Sequence, residues 1–374
     1  LSIVHYSRDI ARVYFYDLVG AGSGCLATFA LLTFLDPFSA LGILAAAAAA
    51  AALLFFGRRG STAWRTAAGL LLLLSAAVGF ATSQGELVKL NFVRGRYEPD
   101  ILWSRWNSTS RVAVYPLRSG QAESSWGMSR LYRGPVPRQL GMVVDDTGYS
   151  SIAAHRPGGD LSWARSSLFA LPYLVREKAE ALIIGPGGGK EILAARSMGS
   201  AAVRAVEINP LMIHAVEKEF KDFSGGPYSL PGVTGIVDEG RTFLRRDDRL
   251  YDVIQASVVY GRLAPSAGAF TLTEDHLYTL EAFHDYFDRL KPEGLLAFSR
   301  FLFEKRILRM VATARLALVE RGADDAGKQI FIAAERGMAT VMVKGTPFTA
   351  AEVAALEGRC RDLGFNVLYS PARE

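Results

Sequence analysis

Hydrophobic positions along the chain fall into two regimes. In the first, apolar residues run almost without interruption from Leu18 to Leu35, Phe38 to Phe56 and Thr66 to Thr82, separated by Asp36-Pro37 and by Gly57-Arg58-Arg59-Gly60. Each run is about 17 to 19 residues, near the lower limit for a helix that rises ~1.5 Å per residue to cross a ~30 Å hydrocarbon core. Only Asp36, Arg58, Arg59 and Arg65 carry charge within residues 18–82. The pattern predicts a transmembrane region of about three helices over residues 1–82. The run Ala45–Ala52 is weakly hydrophobic, so its insertion relies on Leu44, Leu53, Leu54, Phe55 and Phe56. Gly20 and Gly24 form a small-xxx-small pair that lets a second helix approach. The chain opens at Leu1 without methionine, and earlier membrane helices are expected upstream.

The second regime is periodic. Residues 83–170 hold short alternating pieces, Arg111–Tyr115 and Gln139–Val144, with turn signals at Asp145-Asp146-Thr147-Gly148 and Pro157-Gly158-Gly159, and predict a β-rich connector. From 171 to 374, apolar runs alternate with helical stretches. Ala181–Ile184, Val203–Ile208, Val233–Val237, Tyr251–Ala256 and Leu295–Phe301 read as strands buried on both faces, hence a parallel sheet. Ile330–Ala334 and Ala339–Lys344, joined at Arg336-Gly337, predict a terminal antiparallel hairpin, and Ala350–Leu363 a last helix. The expected fold is therefore transmembrane α-helices followed by an α/β, class I methyltransferase-like (Rossmann-like) sheet.

Composition sharpens this division. Half of the 374 residues are hydrophobic and 21% charged, which excludes a disordered or collagen-like chain. Two cysteines, Cys25 and Cys360, lie far apart and are expected as reduced thiols. The net charge of +5 is scattered and accompanied by no nucleic-acid module, so lipid headgroups are the expected anionic partner and nucleic acid is not. Lys89, Arg94, Arg96 and Arg105 after the third run place the soluble part on the cytoplasmic side of a bacterial inner-membrane-type bilayer, although the arginines of loop 57–65 claim the same side. Five scattered histidines without a paired-ligand motif predict no metal site.

Candidate chemistry gathers after the first strand. Gly185-Pro186-Gly187-Gly188-Gly189 follows Ile183-Ile184 and opens a helix, allowing a tight turn and close approach to a ligand. Glu207 ends the next strand about 20 residues on, where a carboxylate can accept both hydroxyls of a ribose. Asp238-Glu239-Gly240 ends the third strand; an acidic pair there can bond an adenine amino group, a pattern more typical of S-adenosylmethionine sites than of nicotinamide ones. A Walker-type loop is disfavoured because Lys190 is followed by Glu191. Tyr260, Glu274 and Tyr278, between the fourth strand and the helix before the fifth, are the candidate catalytic residues beside the transferred group.

Residues about 175–345 resemble the spermidine synthase family of aminopropyltransferases, and more closely its membrane-attached bacterial relatives. The resemblance lies in IIGPGGGKEI, AVEINP, VDEGRTFL, YDVIQASVV and GAFTLTEDHLYTLEAFHDYFDRLKPEGLLAFSR. It implies a transferase that uses S-adenosylmethionine or its decarboxylated form, bound by Gly185, Gly187, Gly188, Gly189, Glu207, Asp238, Glu239 and Gly240, in polyamine biosynthesis. Three polar anchors that the resemblance leads one to expect are missing. Gly188 stands where an aspartate would hold the aminopropyl amine, Ala256 where one would prepare the attacking amine, and Ala164–Ala170 replaces a Tyr-His-Glu segment. A polyamine amine, with a pKa near ~10, must lose a proton before it attacks. The expected activity is aminopropyl transfer to an amine; methyl transfer to another small-molecule acceptor and a non-catalytic nucleoside-binding membrane protein are the alternatives. Oligomers could form through the membrane helices or the soluble domain.

Overall fold

Three helices carry the apolar runs in a computed structural model that describes residues 9–56, 61–83, 92–93, 96–98, 100–117, 126–145, 148–258, 276–302 and 306–372. They are α1 (Ile10–Phe34), α2 (Pro37–Phe56) and α3 (Thr62–Ser83), each long and apolar enough to cross a membrane. Helix α1 begins eight residues before the apolar run, because Ile10–Asp17 contains no Gly or Pro to stop it. Pro37 opens α2, where its missing amide is not needed. Asp36 caps that end: its carboxylate accepts from the amides of Phe38 (2.9 Å) and Ser39 (3.0 Å) and from the Ser39 hydroxyl. Helices α2 and α3 pack through small residues. A Cβ on Gly42 would lie 2.6 Å from Gly79 Cα, and Ser39, Ser75 and Thr82 are buried. No residue of α1 is buried.

The chain divides into two compact units, Leu1–Ala113 and Val114–Glu374. The first also holds the short antiparallel pair β1 (Phe92–Val93) and β2 (Arg96–Tyr97), then β3 (Trp103–Trp106) and the start of β4 (Arg111–Pro116). Within it, Arg111 Nη1 meets Glu98 Oε2 at 2.7 Å, both side chains withdrawn from water. Both cysteines are free thiols.

In the second unit, β5 (Gln139–Val144) and β6 (Gly148–Ala153) form an antiparallel hairpin. Asp145 enters its turn at φ 54°, a left-handed conformation that aspartate tolerates; Asp146 and Thr147 lie outside the described residues. After α4 (Ser162–Arg165) and a 3-10 segment, Leu168–Leu174, strands and helices alternate: β7 (Glu180–Ile184), α5 (Lys190–Ser197), β8 (Ala202–Glu207), α6 (Pro210–His214), α7 (Lys221–Ser224), β9 (Val233–Val237), α8 (Gly240–Arg246), β10 (Tyr251–Ser257), α9 (Leu280–Asp288), β11 (Leu290–Phe301) and α10 (Arg306–Glu320). The hairpin β12 (Ile330–Glu335) and β13 (Met338–Lys344), then α11 (Ala350–Leu363) and β14 (Asn366–Tyr369), complete it. The eight-stranded sheet has the order β14-β12-β13-β11-β10-β7-β8-β9, parallel from β11 to β9 and antiparallel beyond. This is the class I methyltransferase-like sheet with a terminal antiparallel hairpin.

Two features depart from the periodicity. Helix α6 ends at His214 and the chain continues as one π-helical turn, Ala215–Glu219, before α7. Edge strand β14 was not anticipated; its four residues are mostly exposed and carry no burial pattern to read.

One face of the sheet packs Leu182, Ile184, Ile254, Leu296 and Phe298 against Phe243, Phe283, Tyr286 and Met310 from α8, α9 and α10. The opposite face carries a buried amide, Gln255, whose Oε1 accepts from Tyr173 (2.8 Å) and whose Nε2 donates to the Phe169 carbonyl (3.1 Å), so that burial leaves neither group unpaired. At the far end of β13, Lys344 is fully buried. Its Nζ donates to Glu352 Oε2 (2.9 Å) and Glu293 Oε2 (3.0 Å), while Arg176 Nη1 donates to Glu352 Oε1 (2.7 Å). Burial opposes the Glu352 charge, but the Thr349 amide, Lys344 and Arg176 outweigh it and pull the carboxyl down to about 2.

Removing one partner of such a cluster strands a buried charge. Glu352→Gln, which keeps the α11 capping box, should lower stability by about 3 kcal/mol in denaturant titration. The double variant Glu352→Gln/Lys344→Met should regain most of that loss.

Candidate active site

The sheet places its chemistry where chain direction reverses. From β7 the chain steps to β8 and β9 on one side, then returns to β10 and β11 on the other, so the crevice at the carboxyl ends of β7 and β10 is the topological switch point. Register aligns these ends: Ile184 pairs with Ala256 and with Val206, and Glu207 with Val237.

The glycine loop after β7 is held on three sides. Gly187 N donates to Glu207 Oε2 (3.2 Å), the Tyr228 hydroxyl donates to Gly187 O (2.7 Å), and Gly188 N donates to Ser150 Oγ on β6 (2.9 Å). Gly187 needs its glycine for conformation, with φ 53°. Gly188 needs it for space: a Cβ there would stand 2.0 Å from the Ser151 carbonyl oxygen. The position that the resemblance reserves for an acid is filled by the backbone of the β5–β6 hairpin.

Glu207 is 4% exposed. Besides the Gly187 amide, it accepts from Asn209 N at 3.0 Å through Oε1, and each oxygen keeps a further lone pair for a ligand hydroxyl. Burial raises its pKa, and the amides of Asn209 and Gly187 offset part of the rise. At the end of β9, Glu239 caps α8, accepting from Arg241 N (3.0 Å), Thr242 N (2.7 Å) and the Thr242 hydroxyl (2.8 Å). Burial works against its charge, yet those donors hold the carboxyl below the usual range. Asp238 accepts from Glu239 N at 2.8 Å and pairs with Arg246. Gly240 starts α8 hard against Ile184, where a Cβ would come within 2.3 Å of Cγ2.

Of the candidate catalytic residues, Tyr260 and Glu274 lie outside the described residues. Tyr278, on a 3-10 turn, packs its ring on the end of β11, 5.7 Å from the Phe298 ring, with the Arg300 guanidinium 4.6 Å from its centroid. Asp252 sits at the opposite end of β10, accepting from Glu180 N and Lys291 Nζ, which makes it structural.

Two groups at the switch point escaped the sequence reading. Glu191, in the first turn of α5, is 8% exposed, and burial pushes its carboxyl up to about 7. Ser257, at the end of β10, lies beside it. The signal was present: an acid in the first turn after a glycine loop, followed by Ile192-Leu193-Ala194-Ala195, all buried. Among the described residues no three His, Cys, Asp or Glu side chains form a metal-binding group.

No family model matches the chain, and no curated protein matches it in sequence. Among solved structures it is similar to a spermidine synthase in complex with the transition-state analogue AdoDATO, at 14% identity over 76% of this chain and 91% of that one, with a TM-score of 0.45. It is also similar to a spermidine synthase from Thermotoga maritima, at 15% identity over 72% and 86% (TM-score 0.44). Human methyltransferase-like protein 13 in complex with SAH is similar at 17% identity over 52% and 90% (TM-score 0.36).

Glu191 has a consequence for stability. An acid whose folded pKa lies above its unfolded value of 4.5 binds more protons folded than unfolded between those limits, so stability falls as pH rises from 4.5 through about 7. Glu191→Gln should therefore leave thermal stability at pH 4.5 near that of the parent and exceed it at pH 8 by on the order of 2 kcal/mol. Melting curves across this range check the sign.

Proposed function

We propose that the chain binds a nucleoside cofactor of the S-adenosylmethionine type at the carboxyl ends of β7 to β10 and transfers a group from it to a small-molecule acceptor. The carrying observation is Glu207, a buried carboxylate at the end of β8, tied to the amide of Gly187 and so fixed beside the glycine loop. A carboxylate held there accepts both hydroxyls of a ribose, while Gly185, Gly187, Gly188 and Gly189 let the nucleoside lie against backbone. Asp238 and Glu239 take the adenine end, with Gly240 keeping α8 close.

When bound, such a cofactor supplies a carbon activated by the neighbouring sulfonium. The protein's part is to hold that carbon and the acceptor in line, which supplies most of the acceleration in displacements of this kind. Tyr260, Glu274 and Tyr278 are proposed to flank the transferred group. Decarboxylated S-adenosylmethionine, with aminopropyl transfer to an amine, is the reading that the resemblance favours. Methyl transfer from S-adenosylmethionine is the second reading, favoured by the Ser151 carbonyl, which excludes an acid at Gly188. Helices α1 to α3 are proposed to anchor the chain in a bilayer, with the second unit on the cytoplasmic side.

Isothermal titration of the full chain with S-adenosylmethionine, its decarboxylated form and S-adenosylhomocysteine tests this directly. At least one should bind, and Glu207→Gln should weaken binding tenfold or more by removing a charge-assisted acceptor. Binding of none of the three overturns the proposal. Cofactor labelled separately on the methyl and aminopropyl carbons then tells which group leaves.

A further inference from the structure

Helix α10 is apolar on two opposite sides. Ile307, Met310 and Ala314 are buried on the side that meets the sheet. Leu308, Ala312, Leu316 and Val319 follow one another at steps of four, four and three residues, so they share the opposite side. There Leu308 is 70% exposed, Leu316 48% and Val319 47%. A helix that is apolar all round is normally covered all round, whereas this one turns three large side chains toward solvent. Arg309 and Arg315 are exposed beside the stripe, and among the described residues neither guanidinium has an acidic partner. The acid at the end of the helix, Glu320, is paired with His284 at 2.8 Å.

Size and charge choose the occupant. From Leu308 to Val319 the stripe is about 16 Å long, while a stable dimer buries about 800 Å² and roughly 20 to 30 residues on each side. Two-fold pairing of the stripe with a second copy would also bring like charges together at Arg309 and Arg315. An anionic lipid surface has neither defect. Leucine and valine enter the acyl boundary, and the guanidinium groups reach the headgroup phosphates on their flexible stems. So few groups are a weak anchor for a free domain. They suffice for one whose own chain already holds it at a bilayer, because the contact is then intramolecular.

Resting on the bilayer anchoring proposed above, we propose that the outer face of α10 docks on an anionic lipid surface, with Leu308, Leu316 and Val319 in the acyl boundary and Arg309 and Arg315 among the headgroups.

The full chain carrying Cys25→Ser, in which Cys360 is buried and escapes labelling, tests this with a nitroxide at Leu316→Cys and a control at the exposed Ala354→Cys on α11. In vesicles of phosphatidylcholine with about 30% phosphatidylglycerol, the ratio of oxygen to nickel-chelate collisions at 316 should exceed that at 354 about threefold or more. Arg309→Glu/Arg315→Glu should abolish the difference with an unchanged melting temperature, and Arg309→Lys/Arg315→Lys should retain most of it. Equal ratios at the two positions in a chain that floats with the vesicles after an alkaline wash overturn the docking and leave the anchoring intact. A chain that does not float overturns both. Dipolar broadening between labels at 316 assigns the face to a second copy and overturns the lipid reading.

Discussion

The hydrogen bond from Gly187 N to the Glu207 carboxylate joins the turn after the first parallel strand to the end of the second, and the geometry of the site depends on it. A loop with four glycines in five residues has wide conformational freedom, only Pro186 being restricted, so left alone it would not hold one shape. Glu207 fixes it from below, Tyr228 takes the carbonyl of the same residue, and Ser150 takes the next amide. Each partner comes from a different element. The loop is thus organised by tertiary contacts, and one of the residues that organise it, Glu207, is also proposed to meet the ligand.

The N-terminal unit follows different rules. In the bilayer proposed for it there would be no hydrophobic gain from hiding leucine against leucine, and helices there associate through close backbone approach and side-chain hydrogen bonds. The α2–α3 pair is built in a way that suits such a setting, with Gly42 against Gly79 and buried Ser39, Ser75 and Thr82. Large apolar residues such as Leu54, Leu70, Leu73 and Phe80 point outward. This inverts the arrangement of the second unit, where Leu182, Phe283 and Phe298 are inside.

Most of the architecture was legible because both regimes write their period plainly. Val233–Val237 and Ala350–Leu363 coincide with observed elements to the residue. What escaped lacked a period: the exposed edge strand β14, and the π-helical turn after His214, which breaks a pattern that reads as one helix. In the site, Glu207 and the glycines were legible because position after a strand defines their role. Glu191 was visible only as the residue that spoils a phosphate-loop motif. Its significance comes from burial beside Ser257, 66 positions away, and such a juxtaposition has no local signature in the sequence. Tyr278 illustrates the opposite limit, since a tyrosine before a helix reads equally well as ligand contact or as packing.

The carbonyl of Ser151 pressed against Gly188 also constrains how this site can diverge. Backbone cannot be trimmed by substitution as a side chain can, so no single codon change places an acid in the turn. The β5–β6 hairpin would have to move first, and it also supplies the Ser150 bond that steadies the loop. An acid at 188 and a relocated hairpin would have to arise together, with either change alone damaging the loop. Chains with the two loop designs are therefore separated by a valley rather than a slope.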